Sequence, residues 1–219
     1  MAKSRRYGGS GADSGFDGSG GGLNVTTRDL VSERERKRIE VDDVLSVARD
    51  LEREYGDDGI VFGFDVATPV GRSGQNVMAY YDGENIAVMN KYFDAAQMQE
   101  AYDRCVDAEF HPSRGNKTGL QATVAHEFGH LLTGSAAKKM GMSFDAAAKT
   151  IVEEARKTTG DRGSVIMARK ISIYATANYA ETIAEAYADV YCNGSRGLSG
   201  AQWQSKAIVN VLNKYLKGR

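Results

Sequence analysis

The sequence predicts an α+β domain, with a small sheet formed early in the chain and a mainly helical remainder. Two observations on patterning carry this. The stretch from Ile60 to Asn90 is rich in β-branched and aromatic residues and is broken by turn signals, whereas from Asp94 onward apolar residues recur at helical spacing. The third observation is composition. With 42% apolar and 26% charged residues in 219 positions, the chain can build one ordinary core and carry a tail. Strands gathered at one end and helices at the other fit segregated layers rather than alternating ones.

The first residues stand apart. MAKSRRYGGSGADSGFDGSGGG (1–22) contains eight glycines, with Ser and Asp in most of the gaps. Such a segment buries too little apolar surface to offset the entropy of ordering it. Residues 1–26 therefore read as a Gly-rich flexible tail and residues 27–219 as the folded domain. Thr27 or Ser32 can cap a charged helix through SERERKRIE, whose run Arg34–Arg38 reads as a solvated face. Val41, Val44, Leu45, Ala48, Leu51 and Tyr55 then follow helical spacing up to Gly56.

IVFGFDVA (Ile60–Ala67) reads as a strand closed by Pro69 and Gly71. NVMAYYDGENIAVMN (Asn76–Asn90) reads as two strands joined around Asp82-Gly83, a dipeptide favoured in tight hairpins. Asp94–Glu109 is an amphipathic helix with Ala95, Met98, Ala101, Tyr102 and Cys105 on one side, and His111-Pro112 through Gly115 is a loop. Further helices are predicted over Thr118–Leu132, Asp145–Thr158, Asn178–Cys192 and Ser199–Leu216, with loop signals at Gly134, Gly160–Gly163 and Asn193–Gly197.

Charge and cysteine usage exclude several functions. A net charge of −1 gives no electrostatic case for a nucleic-acid partner. No apolar run approaches the ~20 residues of a membrane span, and the basic start has no apolar core behind it, so neither a membrane role nor a secretory signal is expected. Cys105 and Cys192 lie outside any CxxC, which argues against a disulfide framework or a cysteine-built metal site and for a reducing, cytoplasmic setting.

Chemistry is concentrated in TGLQATVAHEFGHLLTG (Thr118–Gly134), which holds HExxH as His126-Glu127-Phe128-Gly129-His130. Residues four apart share a helix face, so both imidazoles can reach one metal ion. Zinc suits neutral imidazole nitrogens, and Glu127 then lies where it can act as general base on a water held by the ion. Leu120, Val124, Phe128, Leu131 and Leu132 supply packing around the histidines, and Gly134 is expected to end the helix.

A catalytic zinc site needs a third protein ligand. The cysteines lack partners, and His111 sits beside a proline in a loop. A later segment, SIYATANYAETIAEAYADVYCNG (Ser172–Gly194), places Glu181, Glu185 and Asp189 on one side of an otherwise Ala- and Tyr-rich helix. Either this row is a solvated acidic stripe, or Glu181 completes the site from a second helix packed on the first. Lys138, Lys139 and Lys149 near the first helix read as solvated surface residues.

The HEFGH segment followed by Tyr174, Asn178, Glu181 and Glu185 resembles the lethal-factor-like metallopeptidases of the gluzincin group. Their second segment has the form Y-x3-N-x2-E-F-F-A-E-A-F. The Tyr, the Asn and both Glu keep their spacing here, while Thr182-Ile183 replaces two phenylalanines, a departure expected to touch packing rather than ligation. The resemblance spans roughly residues 40–217.

It implies a zincin-like domain and a zinc endopeptidase acting on protein or peptide substrates with one Zn2+. In that reading His126, His130 and Glu181 hold the ion, Glu127 is the base, and Tyr174 faces the oxyanion. Glu185 fixes a ligating histidine, and Asn178 caps or orients the start of the Glu helix. An edge strand would guide the substrate, and Ile86–Asn90 is the segment nominated. Lethal-factor-like domains also resemble parts encoded by phages and mobile elements. The alternative implied is a virion-associated structural protein that keeps this fold and joins a larger assembly through its N-terminal tail.

Overall fold

The computed structural model describes residues 41–55, 63–67, 78–81, 85–89, 95–194 and 200–218. The predicted tail (1–26), the boundary at Thr27 and the charged helix through Arg34–Arg38 lie outside the described residues. In chain order the elements are α1 (Val41–Tyr55), β1 (Gly63–Ala67), β2 (Ala79–Tyr81), β3 (Asn85–Met89), α2 (Ala95–Asp107), α3 (Gly119–Met140), α4 (Phe144–Thr159), α5 (Ser164–Arg169), a 3-10 turn (Tyr174–Thr176), α6 (Tyr179–Asn193) and α7 (Trp203–Lys217).

The α+β expectation is overturned. Most of the described residues are helical, and the core is helix packed on helix. It is built from Val124, Phe128 and Leu132 of α3, Ile151 and Val152 of α4, Ile183 and Tyr187 of α6, and Ile208 and Leu212 of α7, all buried. Extended structure among the described residues amounts to three short strands in the order β1-β3-β2, with β1 and β3 parallel and β2 and β3 antiparallel. They are a fringe beside α3 and not a layer against which the helices stack. The nomination of Ile86–Asn90 as an edge fails with it. Residues Ile86–Met89 belong to β3, which is paired on both sides, so its backbone has no free edge to offer.

Helix α3 is the axis of the molecule. It is buried along most of its length and packs against α1, α2, α4, α6, α7 and two strands. A capping box opens it: the Gln121 N–H donates to Thr118 Oγ1 at 3.1 Å, and the Thr118 N–H donates to Gln121 Oε1 at 3.0 Å. The same pair ties the helix to α1, because Thr118 Oγ1 donates to Asp43 and Gln121 Nε2 to Ser46. The helix runs through Gly134, where a stop was expected, and ends only where Gly141 adopts a left-handed φ of 63° and donates back to Ala137 and Lys138. Its last turn is fastened as well. Lys139, exposed as expected, donates from its ammonium to the Leu216 carbonyl at the end of α7.

No helix among the described residues is long and apolar enough to cross a membrane. Cys105 and Cys192 are both free.

Candidate metal centre

Helix α3 sets His126 and His130 one turn apart on one face, with their rings 5.0 Å apart. The facing rod is α6, which starts at Asn178. Asn178 has extended backbone, and its side-chain oxygen accepts the N–H of Glu181 at 2.9 Å. The cap therefore fixes the backbone of the residue predicted as third ligand.

The two helices approach closely because Gly129, inside the HEFGH segment, has no side chain. A Cβ placed there would lie 2.5 Å from the Cα of Ala184, closer than real atoms come. Gly129 and Ala184 thus form a backbone-to-backbone contact between the histidines and the glutamates.

That contact brings three donor atoms together. Glu181 Oε2 lies 3.1 Å from His126 Nε2 and 3.3 Å from His130 Nε2. Ligands bound at about 2.0–2.1 Å in a tetrahedron stand about 3.3 Å from one another, so these spacings are those of tetrahedral edges. Glu181 Oε2 is buried and accepts no hydrogen bond. His126, His130 and Glu181 form a group that could hold a metal ion.

The three groups are also coupled electrostatically. Burial alone would push His126 down, but the adjoining carboxylates of Glu181 and Glu185 outweigh it and lift the imidazole well above its ordinary pKa. Burial would raise Glu181, yet the two histidines hold it well below the usual carboxylate range.

Glu185 is 1% exposed and lies behind His126, accepting its Nδ1–H at 2.7 Å on Oε1. This bond selects the tautomer that leaves Nε2 a lone pair. Two further donors reach the same carboxylate, and sequence reasoning missed both. His111 donates from Nδ1 to Oε1 at 2.9 Å, and Ser172 Oγ donates to Oε2 at 2.7 Å. Against the cost of burial, the His111 and His126 bonds hold Glu185 down at about 2. No local signal marks His111, which meets Glu185 across 74 positions of chain.

Glu127 is 6% exposed and receives the backbone N–H of Tyr81 from β2. Burial raises its pKa above the ordinary value despite the nearby histidines. Tyr174 stacks on His126 with ring centres 5.9 Å apart. Burial, then Glu181, Glu127 and Glu185, push its phenol well above the usual value, so it stays protonated.

The acidic row is not a solvated stripe. Glu181 and Glu185 meet the histidines, while buried Asp189 accepts from Asn193, the Gln202 N–H and Ser205 and thereby secures the start of α7. The Thr182-Ile183 departure does more than pack. Ile183 is fully buried, but Thr182 Oγ1 lies 2.7 Å from the Ala175 carbonyl and 2.9 Å from that of Asn178, tethering the Tyr174 turn to α6.

Comparison with protein-family models, with curated proteins and with solved structures finds no match.

Proposed function

We propose that this chain is a zinc-dependent endopeptidase of the lethal-factor-like kind that its motifs resemble. The observation that carries the reading is the convergence of two imidazole nitrogens and one buried, hydrogen-bond-free carboxylate oxygen at tetrahedral spacing. Two histidines and one glutamate leave a fourth position for water or substrate, the donor set of a catalytic rather than a structural zinc.

When bound, zinc supplies an acidified water and a Lewis acid for the carbonyl of a peptide bond. Glu127 is the base. Its burial brings its pKa toward the working range, so it can accept the proton of the attacking water and return one to the leaving amine. Tyr174, kept protonated, donates a hydrogen bond to the oxygen on which charge develops. Asn178 holds the backbone of Glu181, and Glu185 holds the ring of His126.

The full chain, purified and exposed to zinc, is expected to hold about one ion per chain and to cleave casein. Glu127→Gln is expected to keep the ion and lose about 10²–10⁴ in rate. A chain that takes up no zinc and leaves casein intact would overturn the reading and leave a structural role in a larger assembly as its successor.

A further inference from the structure

Glu185 binds two imidazoles through one oxygen. His126 and His111 both meet Oε1, at 2.7 and 2.9 Å, and Ser172 holds Oε2. A carboxylate is an acceptor only, so both rings present Nδ1–H to it. With three donors arranged around it, the carboxylate is left with a single orientation.

The His111 ring is itself clamped. Tyr102 stacks on it at 5.4 Å, and the rings of Phe110 and Tyr174 meet it nearly edge-on at 5.1 and 5.5 Å. Its backbone leaves α2 through Glu109, a non-glycine residue with a left-handed φ of 55°. That turn is pinned to the segment carrying Tyr174, since the Ile173 N–H donates to the Glu109 carbonyl and the Tyr174 N–H to that of Phe110. A strained turn held by two backbone bonds and three rings implies a demanding position for the side chain it delivers.

We propose that His111 is a positioning residue for the metal centre. By donating to the same Glu185 oxygen as His126, it fixes that carboxylate and, through it, aims His126 Nε2 at the ion. This rests on the metal reading above. His111 touches neither the ion nor the substrate, and its influence passes through Glu185.

The test uses the full chain and two substitutions. His111→Phe keeps an aromatic ring for Tyr102, Phe110 and Tyr174 but removes the donor; His111→Asn restores an amide N–H near the place of Nδ1. Zinc affinity is measured by competition with a fluorescent chelator, and the His126 ring tautomer by two-dimensional 1H–15N spectra of the metal-free chain at a pH where it is neutral. The Phe variant is expected to weaken zinc about tenfold, the lower end for partners outside the ligand set, with the Asn variant within about threefold of the parent. In the Phe variant, the His126 tautomer becomes mixed.

Unchanged affinity and an unchanged tautomer in a folded Phe variant would overturn the proposal. So would a parent spectrum in which His111 Nδ1 carries no proton, a reading that needs no variant to fold. If the parent binds no zinc while the Phe variant still loses the His126 tautomer, the metal reading fails and the positioning of His126 stands.

Discussion

Tyr174 can be stripped of its hydroxyl without removing a ligand, because it contacts the centre from the side, through the face of His126. A hydrogen bond made only as charge develops appears in kcat and not in KM. Tyr174→Phe is therefore expected to lower kcat about 10²-fold in casein or peptide assays, with KM and zinc content unchanged. Protonation gives a second prediction at this scale. Since His126 has a raised pKa without the ion, zinc must displace a proton to bind. Affinity should climb with pH, about tenfold per unit while that proton is held, and chelator competition between pH 6 and 8 reads it. In the metal-free chain the sign reverses: the stability His126 contributes is full below the ordinary imidazole pKa and disappears as pH rises through the raised one. Residues with a local signature were legible, because HExxH and the spacing of Tyr174, Asn178, Glu181 and Glu185 are short-range patterns. His111 and Ser172 act by meeting Glu185 in space, and nothing next to them in sequence announces it.

Two glycines of α3 behave in opposite ways. At Gly129 an added methyl would strike the Ala184 backbone, so α3 and α6 must part before it fits. Gly129→Ala should cost about 1–3 kcal/mol, lower the melting temperature by roughly 5 °C and weaken zinc at least about tenfold, as read by calorimetry and chelator competition. At Gly134 the nearest atom would be the Tyr81 hydroxyl at 3.5 Å, an ordinary contact. Gly134→Ala should be neutral or stabilise by up to about 1 kcal/mol through helix propensity. This contrast also explains why the end of α3 was misread. A glycine stops a helix only where the backbone takes the left-handed turn, and here that residue is Gly141, while Gly134 continues in regular helix. Helices α4 and α6 were legible because their apolar spacing agrees with their caps, Ser143 and Gly160 for α4 and Asn178 for α6, whereas the six-residue α5 was not predicted.

The whole molecule departs from its expected class because β-rich composition is a statement about local preference, and layers are decided by what the core recruits. Among the described residues the apolar faces of α3, α4, α6 and α7 satisfy one another, and the short strands lie beside α3 without forming a layer. A centre made from two rods of that core couples loading to global stability. Zinc at about 100 times its dissociation constant should add about 2.7 kcal/mol, a rise in melting temperature of roughly 5–10 °C that excess chelator reverses. A melting curve indifferent to both would count against the centre. The abutment of Gly129 on Ala184 has a kinetic corollary. Rods that meet main chain to main chain cannot splay by degrees, so an ion can leave only through the swing of individual side groups. A loaded chain should accordingly surrender its zinc at a pace set by the protein, the same whether the scavenger outside is scarce or abundant.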